Sequence, residues 1–216
     1  MGVIIAVDGP AGSGKSSVSK EVARRLNFGY LDTGAAYRAL TWAVAQHKVQ
    51  VSDTEDTFAG FDYEISLEPD NYWVKSYGVD VTEAIRLPEI ASNVSKVAKI
   101  PSVRTFMKQL TRDLVARSPL AGVVVEGRDI TTVVAPDAPV RLLLTASEEV
   151  RLNRRAKELS PEDLATLRQQ VLERDKSDSK VVDFMTPAPG VNLVDTTNLD
   201  FEQSVQAVLS IIREQL

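Results

Sequence analysis

The 216-residue chain has no cysteine, which excludes disulfides and thiolate metal sites and fits an enzyme of the reducing cytoplasm. It has one histidine, His47, placed where a predicted helix ends and read as a surface residue rather than a catalytic base. No apolar run approaches the ~20 residues that cross a bilayer. The first residues pass straight into an apolar strand without a basic start or cleavage site, so no signal peptide is expected. Excess positive charge is also missing. Lys and Arg number 25 against 30 Asp and Glu, a net charge of −5, which argues against a general nucleic-acid binder. There is no internal repeat and no low-complexity tract. The remaining composition, 44% hydrophobic and 25% charged, is that of a globular chain large enough for one domain with insertions.

What is present begins at once. Val3-Ile4-Ile5-Ala6-Val7 reads as a buried strand, and it delivers the chain to Gly9-Pro10-Ala11-Gly12-Ser13-Gly14-Lys15-Ser16, a complete G-x-x-x-x-G-K-[ST] phosphate loop. Lys15–Leu26 follows as a helix with Val18, Val22 and Leu26 at helical spacing. Glycines let backbone amides wrap closely round phosphate oxygens, and the helix N-terminus adds partial positive charge. Lys15 is placed to reach the β- and γ-phosphates, Ser16 to hold Mg²⁺, and Ser17 to complete the set of ATP-binding residues.

Beyond the loop, Phe28–Asp32 reads as a short strand, with Thr33 as N-cap of a helix over Ala35–Gln46. Ser52-Asp53-Thr54-Glu55 has capping-box form. Residues 60–86 change texture: Tyr63, Ile65 and Leu67 alternate with polar residues, and Val79-Asp80-Val81 follows Gly78, which predicts a small inserted antiparallel sheet. Tyr72 and Trp73 within it read as half-buried; exposed, they would mark a partner surface. Pro88–Lys99 and Pro101–Arg117 are expected helices, each with proline at its first position. Val123–Val125, Val140–Leu144 and Val191–Val194 read as parallel strands covered on both faces. Glu148–Leu159, Pro161–Lys176 (opened by Ser160 with Asp163) and Asp200–Gln215 read as helices. The expected fold is α/β: a doubly wound parallel sheet with helices on both faces, a small antiparallel insert and a helical lid, with ligands at the carboxyl ends of the strands. Core segments 1–59, 118–147 and 186–216, an acceptor region 60–117 and a lid 148–185 divide this single domain.

No Asn-Lys-x-Asp guanine signature is present. Most P-loop ATPases place a magnesium-ligating aspartate directly after an apolar strand, whereas here Val123–Val125 runs into Glu126-Gly127-Arg128-Asp129. Arginines cluster late in the chain, at Arg151, Arg154 and Arg155 and again at Arg174 with Lys176 and Lys180. On a helix Arg151 and Arg155 share a face, an arrangement eased by an anion between them and otherwise a solvated charged face. A short chain with these clusters favours a small phosphotransferase, a P-loop kinase with an arginine-bearing lid.

The chain resembles the bacterial cytidylate kinases from end to end. The shared motifs are Asp8-Gly9-Pro10, Leu31-Asp32-Thr33-Gly34-Ala35-Ala36-Tyr37-Arg38, Gly78-Val79-Asp80-Val81-Thr82 with Ile85-Arg86, Ser95-Lys96-Val97-Ala98 with Pro101-Ser102-Val103-Arg104, Gly127-Arg128-Asp129, and Arg174-Asp175-Lys176-Ser177-Asp178-Ser179. The resemblance implies phosphoryl transfer from ATP to CMP, with dCMP as second acceptor, by a cytoplasmic monomer that works on small molecules and engages neither nucleic acid nor membrane. It implies Thr33, Arg38 and Arg128 on the CMP side, the arginines at its phosphate. Ser95, Arg104 and Asp129 would read the cytosine ring, and Tyr37 would serve packing. Arg151 and Arg155 would reach the migrating phosphoryl from the lid, and Arg174 and Asp178 would flank the acceptor. Lys15, Arg128, Arg151, Arg155 and Arg174 form the implied catalytic set. Such a reaction needs cations more than a base, because the attacking phosphate oxygen is already ionised. Taken singly, Arg104 and Asp129 also read as members of surface pairs.

Three positions depart from the family pattern. Val181 stands where an arginine is expected after the Arg174–Asp178 segment. Thr131 replaces a usual glycine, and strain is expected there if the position needs positive φ. Tyr77 replaces an asparagine, for which a changed turn is expected. Asp8 is placed to aid magnesium through water. Kinases of AMP, shikimate, dephospho-coenzyme A or a nucleoside, with Asp32 or Asp129 as base, are the enzymatic alternatives. A nucleotide-binding switch module is the non-enzymatic one.

Overall fold

The valine-rich segment Gly122–Gly127 is buried at every position, the pattern of a strand covered on both faces. In a computed structural model that describes residues 2–51, 60–156, 179 and 182–216, it lies second in a five-stranded sheet. The strands are β1 (Val3–Asp8), β2 (Gly29–Asp32), β6 (Gly122–Gly127), β7 (Val140–Thr145) and β8 (Asn192–Asp195), in the order β2-β6-β1-β7-β8. Every pairing is parallel, and β1 aligns Val3 with Gly122 through Asp8 with Gly127. Side chains alternate across the sheet. Ile5 and Val7 join one core with α1 (Lys15–Leu26) and the last described helix, α7 (Phe201–Gln215). Ala6 joins the other, with α2 (Thr33–Ala45) and α5 (Pro101–Arg117). The expected doubly wound sheet with helices on both faces is therefore present, and the phosphate loop and the Arg128–Asp129 segment leave the carboxyl ends of β1 and β6.

The insert is a second sheet of β3 (Tyr63–Ile65), β4 (Val74–Ser76) and β5 (Val79–Asp80), antiparallel throughout. Tyr77 and Gly78 make its tight turn with φ of 50° and 71°, the doubly left-handed geometry that suits a two-residue hairpin. Tyr77 thus adopts the conformation an asparagine favours, and its hydroxyl donates to the Gly60 carbonyl at 2.6 Å. Tyr72 and Trp73 are half-buried, as expected; Tyr72 packs against both cores.

Two local expectations need correction. Asp32, not Thr33, caps α2: its carboxylate accepts from Ala35 N at 3.1 Å. Thr33 is already helical, because its hydroxyl is drawn to the Glu126 carbonyl at 2.7 Å. The helix expected over Pro88–Lys99 is two short ones, α3 (Pro88–Ala91) and α4 (Val94–Ala98). The Ser92 hydroxyl and Asn93 amide both donate to the Glu89 carbonyl, and such side-chain bonds compete with the helical ladder. The expected lid helix is described as α6 over Glu148–Ala156; its continuation, Pro161–Lys176 with its Ser160 and Asp163 cap, and the Ser52–Glu55 box lie outside the described residues. No described helix is long and apolar enough to cross a membrane.

Candidate active site

The phosphate loop joins β1 to α1. Gly12 and Gly14 hold φ of 75° and 87°, left-handed values that glycine adopts without penalty. No side chain caps α1, so its first amides remain directed at an anion site. The outer face of the loop is held by α6. Arg151 donates to the Ala11 carbonyl at 2.9 Å, and Arg154 to the Ser13 carbonyl at 3.1 Å. Arg154 also donates to Thr196 Oγ1 and to the Thr196 carbonyl, each at 2.9 Å. Turning these carbonyls outward leaves the amides facing inward.

Arg151, expected to reach the migrating phosphoryl from the lid, is 4% exposed and is bonded to the loop. A guanidinium buried on a loop carbonyl gains charge-assisted bonds that a solvated face would not give. Arg155 belongs to α6, but its side chain, like Arg174, Asp178, Lys176, Lys180 and Val181, lies outside the described residues. Arg154, grouped in the sequence only as part of a cluster, is the anchor that sequence reasoning missed.

Lys15 extends along the inner side of the loop, with Nζ 3.9 Å from Glu126 Oε2. Glu126 is the last residue but one of β6 and is 1% exposed. Its Oε1 accepts from the Tyr30 hydroxyl at 2.6 Å, while Oε2 makes no close hydrogen bond and has Ser16 alongside. Burial raises its pKa and Lys15 draws it back, with Asp32 adding to the rise. A buried carboxylate oxygen beside Lys15 and Ser16 fits a hydrated magnesium ion bound with triphosphate. Among the described residues there is no cluster of three or more His, Asp or Glu side chains suited to a metal, so phosphate oxygens would complete such a shell. Glu126 was signalled only by its place after an apolar strand.

Across the sheet edge, a small cavity is lined by Thr33, Tyr37, Arg104, Met107, Asp129 and Ile130, among others. Arg104, from α5, donates to Asp129 Oδ2 at 2.5 Å. Burial raises the Asp129 pKa and Arg104 counters it. Three residues expected on the CMP side, Thr33, Arg104 and Asp129, thus meet in one place. Tyr37 lines the cavity and also packs on the core. Arg38 donates to Asp32 Oδ2 at 2.7 Å; although burial works against it, Arg38 together with Lys15 keeps the Asp32 carboxyl below its usual range. Arg128 lies 4.2 Å over the ring of Phe184. Ser95 sits half-buried on α4 and is not among the lining residues. His47 is exposed, as expected.

Asp8 does not face the loop. Oδ1 accepts from Ile130 N at 2.8 Å, and Oδ2 from Thr131 N at 2.8 Å and Thr131 Oγ1 at 2.6 Å. Thr131 is not among the positive-φ residues, so the strain expected at this position does not arise.

A phosphate loop on a parallel α/β sheet, with a small antiparallel sheet inserted in the chain, defines a P-loop kinase. The particular family follows from comparison: the family model for cytidylate kinase matches residues 5–214, and the chain belongs to that family. It is 42% identical over 217 residues to the cytidylate kinase of Streptomyces avermitilis, covering 99% of this chain and 94% of the relative. It is 40% identical over 215 residues to that of Cutibacterium acnes, covering 97% and 96%. In fold it is similar to an uncharacterized protein from Eubacterium ventriosum, with a TM-score of 0.53, 12% identity and 98% of each chain covered.

Proposed function

We propose that this chain transfers the γ-phosphoryl group of ATP to CMP and to dCMP, giving ADP and CDP or dCDP. The observation that carries this reading is the Arg104–Asp129 pair in a cavity with Thr33, at the same carboxyl end of the parallel strands as the phosphate loop. Cytosine offers an amino donor beside ring acceptors. Asp129 has lone pairs left after accepting from Arg104, and the guanidinium has further donors, so each has capacity for the base. Uracil would set a carbonyl against the carboxylate, at a cost of about 1–3 kcal/mol. That is a discrimination of roughly five-fold to a hundred-fold.

Loop amides and Lys15 hold the β- and γ-phosphates, while Ser16 and Glu126 flank the magnesium ion, which offsets phosphate charge when bound. Arg38 and Arg128 hold the acceptor phosphate. Arg151 acts through the loop it braces, and Arg155, Arg174 and Asp178 complete the lid side. Ser95 joins the cytosine contacts. The single domain comprises the core, the acceptor region 60–117 and the lid 148–185, and it works as a cytoplasmic monomer on small molecules.

The test is ADP formation from ATP and Mg²⁺ with CMP, dCMP, UMP, AMP and shikimate offered separately. Turnover with CMP and dCMP well above UMP is expected. Folded, ATP-binding protein without CMP-dependent turnover would overturn the assignment.

A further inference from the structure

The segment that carries Arg128 and Asp129 is fixed by residues that touch neither substrate. After Asp129 the chain makes a π-helical turn over Ile130–Val134, a wide turn that is rare and frequent at functional sites. Its carbonyls are held by two arginines. Arg112 donates to Val134 O at 2.8 Å and Val133 O at 3.3 Å, and Arg141 to Thr131 O at 3.3 Å. Its first amides end on Asp8, which is 2% exposed and accepts from Ile130 N, Thr131 N and the Thr131 hydroxyl. Asp8 is the last residue of β1 and directly precedes Gly9. One carboxylate therefore ties the root of the phosphate loop to the residue after next from Asp129.

We propose that Thr131 is a specificity-determining positioning residue: its hydroxyl, closing the third hydrogen bond on Asp8, sets Asp129 against Arg104 and so fixes the preference for an amino- over an oxo-pyrimidine monophosphate. This rests on the reading of Asp129 as a cytosine contact. The backbone amides alone satisfy Asp8 at one point on each oxygen. A buried carboxylate with two donors is held less firmly than one with three, and charged hydrogen bonds are the stronger kind. Thr131 is 3% exposed, so water cannot replace its hydroxyl without rearranging the turn. Asp129, one residue before that turn, moves with it.

The experiment compares Thr131→Val, Thr131→Ser and Asp129→Asn in the full chain. It measures kcat and KM for CMP and UMP, KM for ATP, and thermal melting. Thr131→Val keeps the shape and the backbone amide but loses the hydroxyl. Its CMP-to-UMP ratio of kcat/KM is expected to fall roughly five-fold or more through a higher KM for CMP, with KM for ATP within about two-fold. Thr131→Ser restores the ratio. Equal losses on both acceptors, or a serine variant that behaves like valine, would overturn the positioning role and leave Thr131 as a stabilising residue only. Should the valine variant fail to fold, Thr131→Ala removes the same hydroxyl without the extra methyl and is judged by the same ratio. If Asp129→Asn leaves the ratio unchanged, the cytosine reading itself falls, and the proposal with it. If Asp129→Asn collapses the ratio while Thr131→Val does not, the reading stands and the proposal falls.

Discussion

Lys15 and Glu126 face each other at 3.9 Å across the junction of the phosphate loop and the end of β6. The pair places a cation and a buried carboxylate side by side at the inner end of the phosphate loop. Burial disfavours the charged form of Glu126, so its pKa is raised despite Lys15.

Glu126→Gln should therefore stabilise the fold while damaging activity. Below the unfolded glutamate value of about 4.3 the side chain is protonated in both states and costs nothing. As pH rises from there through the higher folded value, the folded state must ionise a buried group, and stability is lost. Glutamine escapes this loss and still accepts from Tyr30. The variant's melting temperature is expected to exceed that of the parent at pH 8 and to match it near pH 4. Its kcat should fall at least tenfold if the carboxylate orients the metal's water. A melting difference that does not change with pH would contradict the assignment of the raised pKa.

Arg104→Met should separate acceptor from donor. The guanidinium and the Asp129 carboxylate are 24% and 14% exposed, so solvent screens part of the charge left behind, and a stability loss of about 1–2 kcal/mol is expected. The KM for CMP should rise tenfold or more, because both the base contact and the placement of Asp129 are lost. The KM for ATP should hold. Parallel increases in both constants would instead point to a general collapse of the sheet edge.

Much of this arrangement is legible in the sequence, and the exceptions turn on individual side-chain hydrogen bonds. The limits of α1 coincide with those read from Val18, Val22 and Leu26, because a glycine-rich turn and an apolar stripe are local signals. The cap of α2 was misplaced by one residue because Asp32 and Thr33 are both good caps. What decides between them is the bond from Thr33 to Glu126, 93 positions away. The break between α3 and α4 depends on two side chains competing for one carbonyl, which apolar periodicity does not register. Arg104 and Asp129 were joined through family resemblance, since spacing does not show which carboxylate meets which arginine. Arg151 and Arg154 were visible as charge, but not as charge turned inward onto the loop carbonyls.

Gly12 illustrates a requirement that the loop consensus omits. The motif leaves this position open, yet it holds φ of 75°. A Cβ there would stand 2.5 Å from the Arg151 carbonyl oxygen. Gly12→Ala combines left-handed strain of roughly 1–2 kcal/mol with a clash against the α6 backbone. A raised KM for ATP and a lower melting temperature are expected, with KM for CMP little altered. Gly60→Ala, where a Cβ meets nothing within 4 Å, is the control and should match the parent.

Arg154 offers the sharpest separation of charge from shape. Its guanidinium donates to Ser13 O, Thr196 Oγ1, Thr196 O and, at 3.4 Å, Leu199 O. It thereby joins the phosphate loop, α6 and the segment after β8. Arg154→Lys keeps the positive charge but replaces a planar fork with a single ammonium, which cannot span acceptors on both sides at once. If long-range charge were the contribution, lysine would serve nearly as well. If fixing the loop carbonyls is the contribution, lysine should fail almost as badly as alanine. The loss expected is about 1–3 kcal/mol of stability and a several-fold rise in KM for ATP. Raising salt distinguishes the cases further, because it screens a through-space effect and barely touches buried hydrogen bonds. A lysine variant with parental KM for ATP would assign Arg154 to electrostatics alone and remove the case for α6 as the brace of the loop.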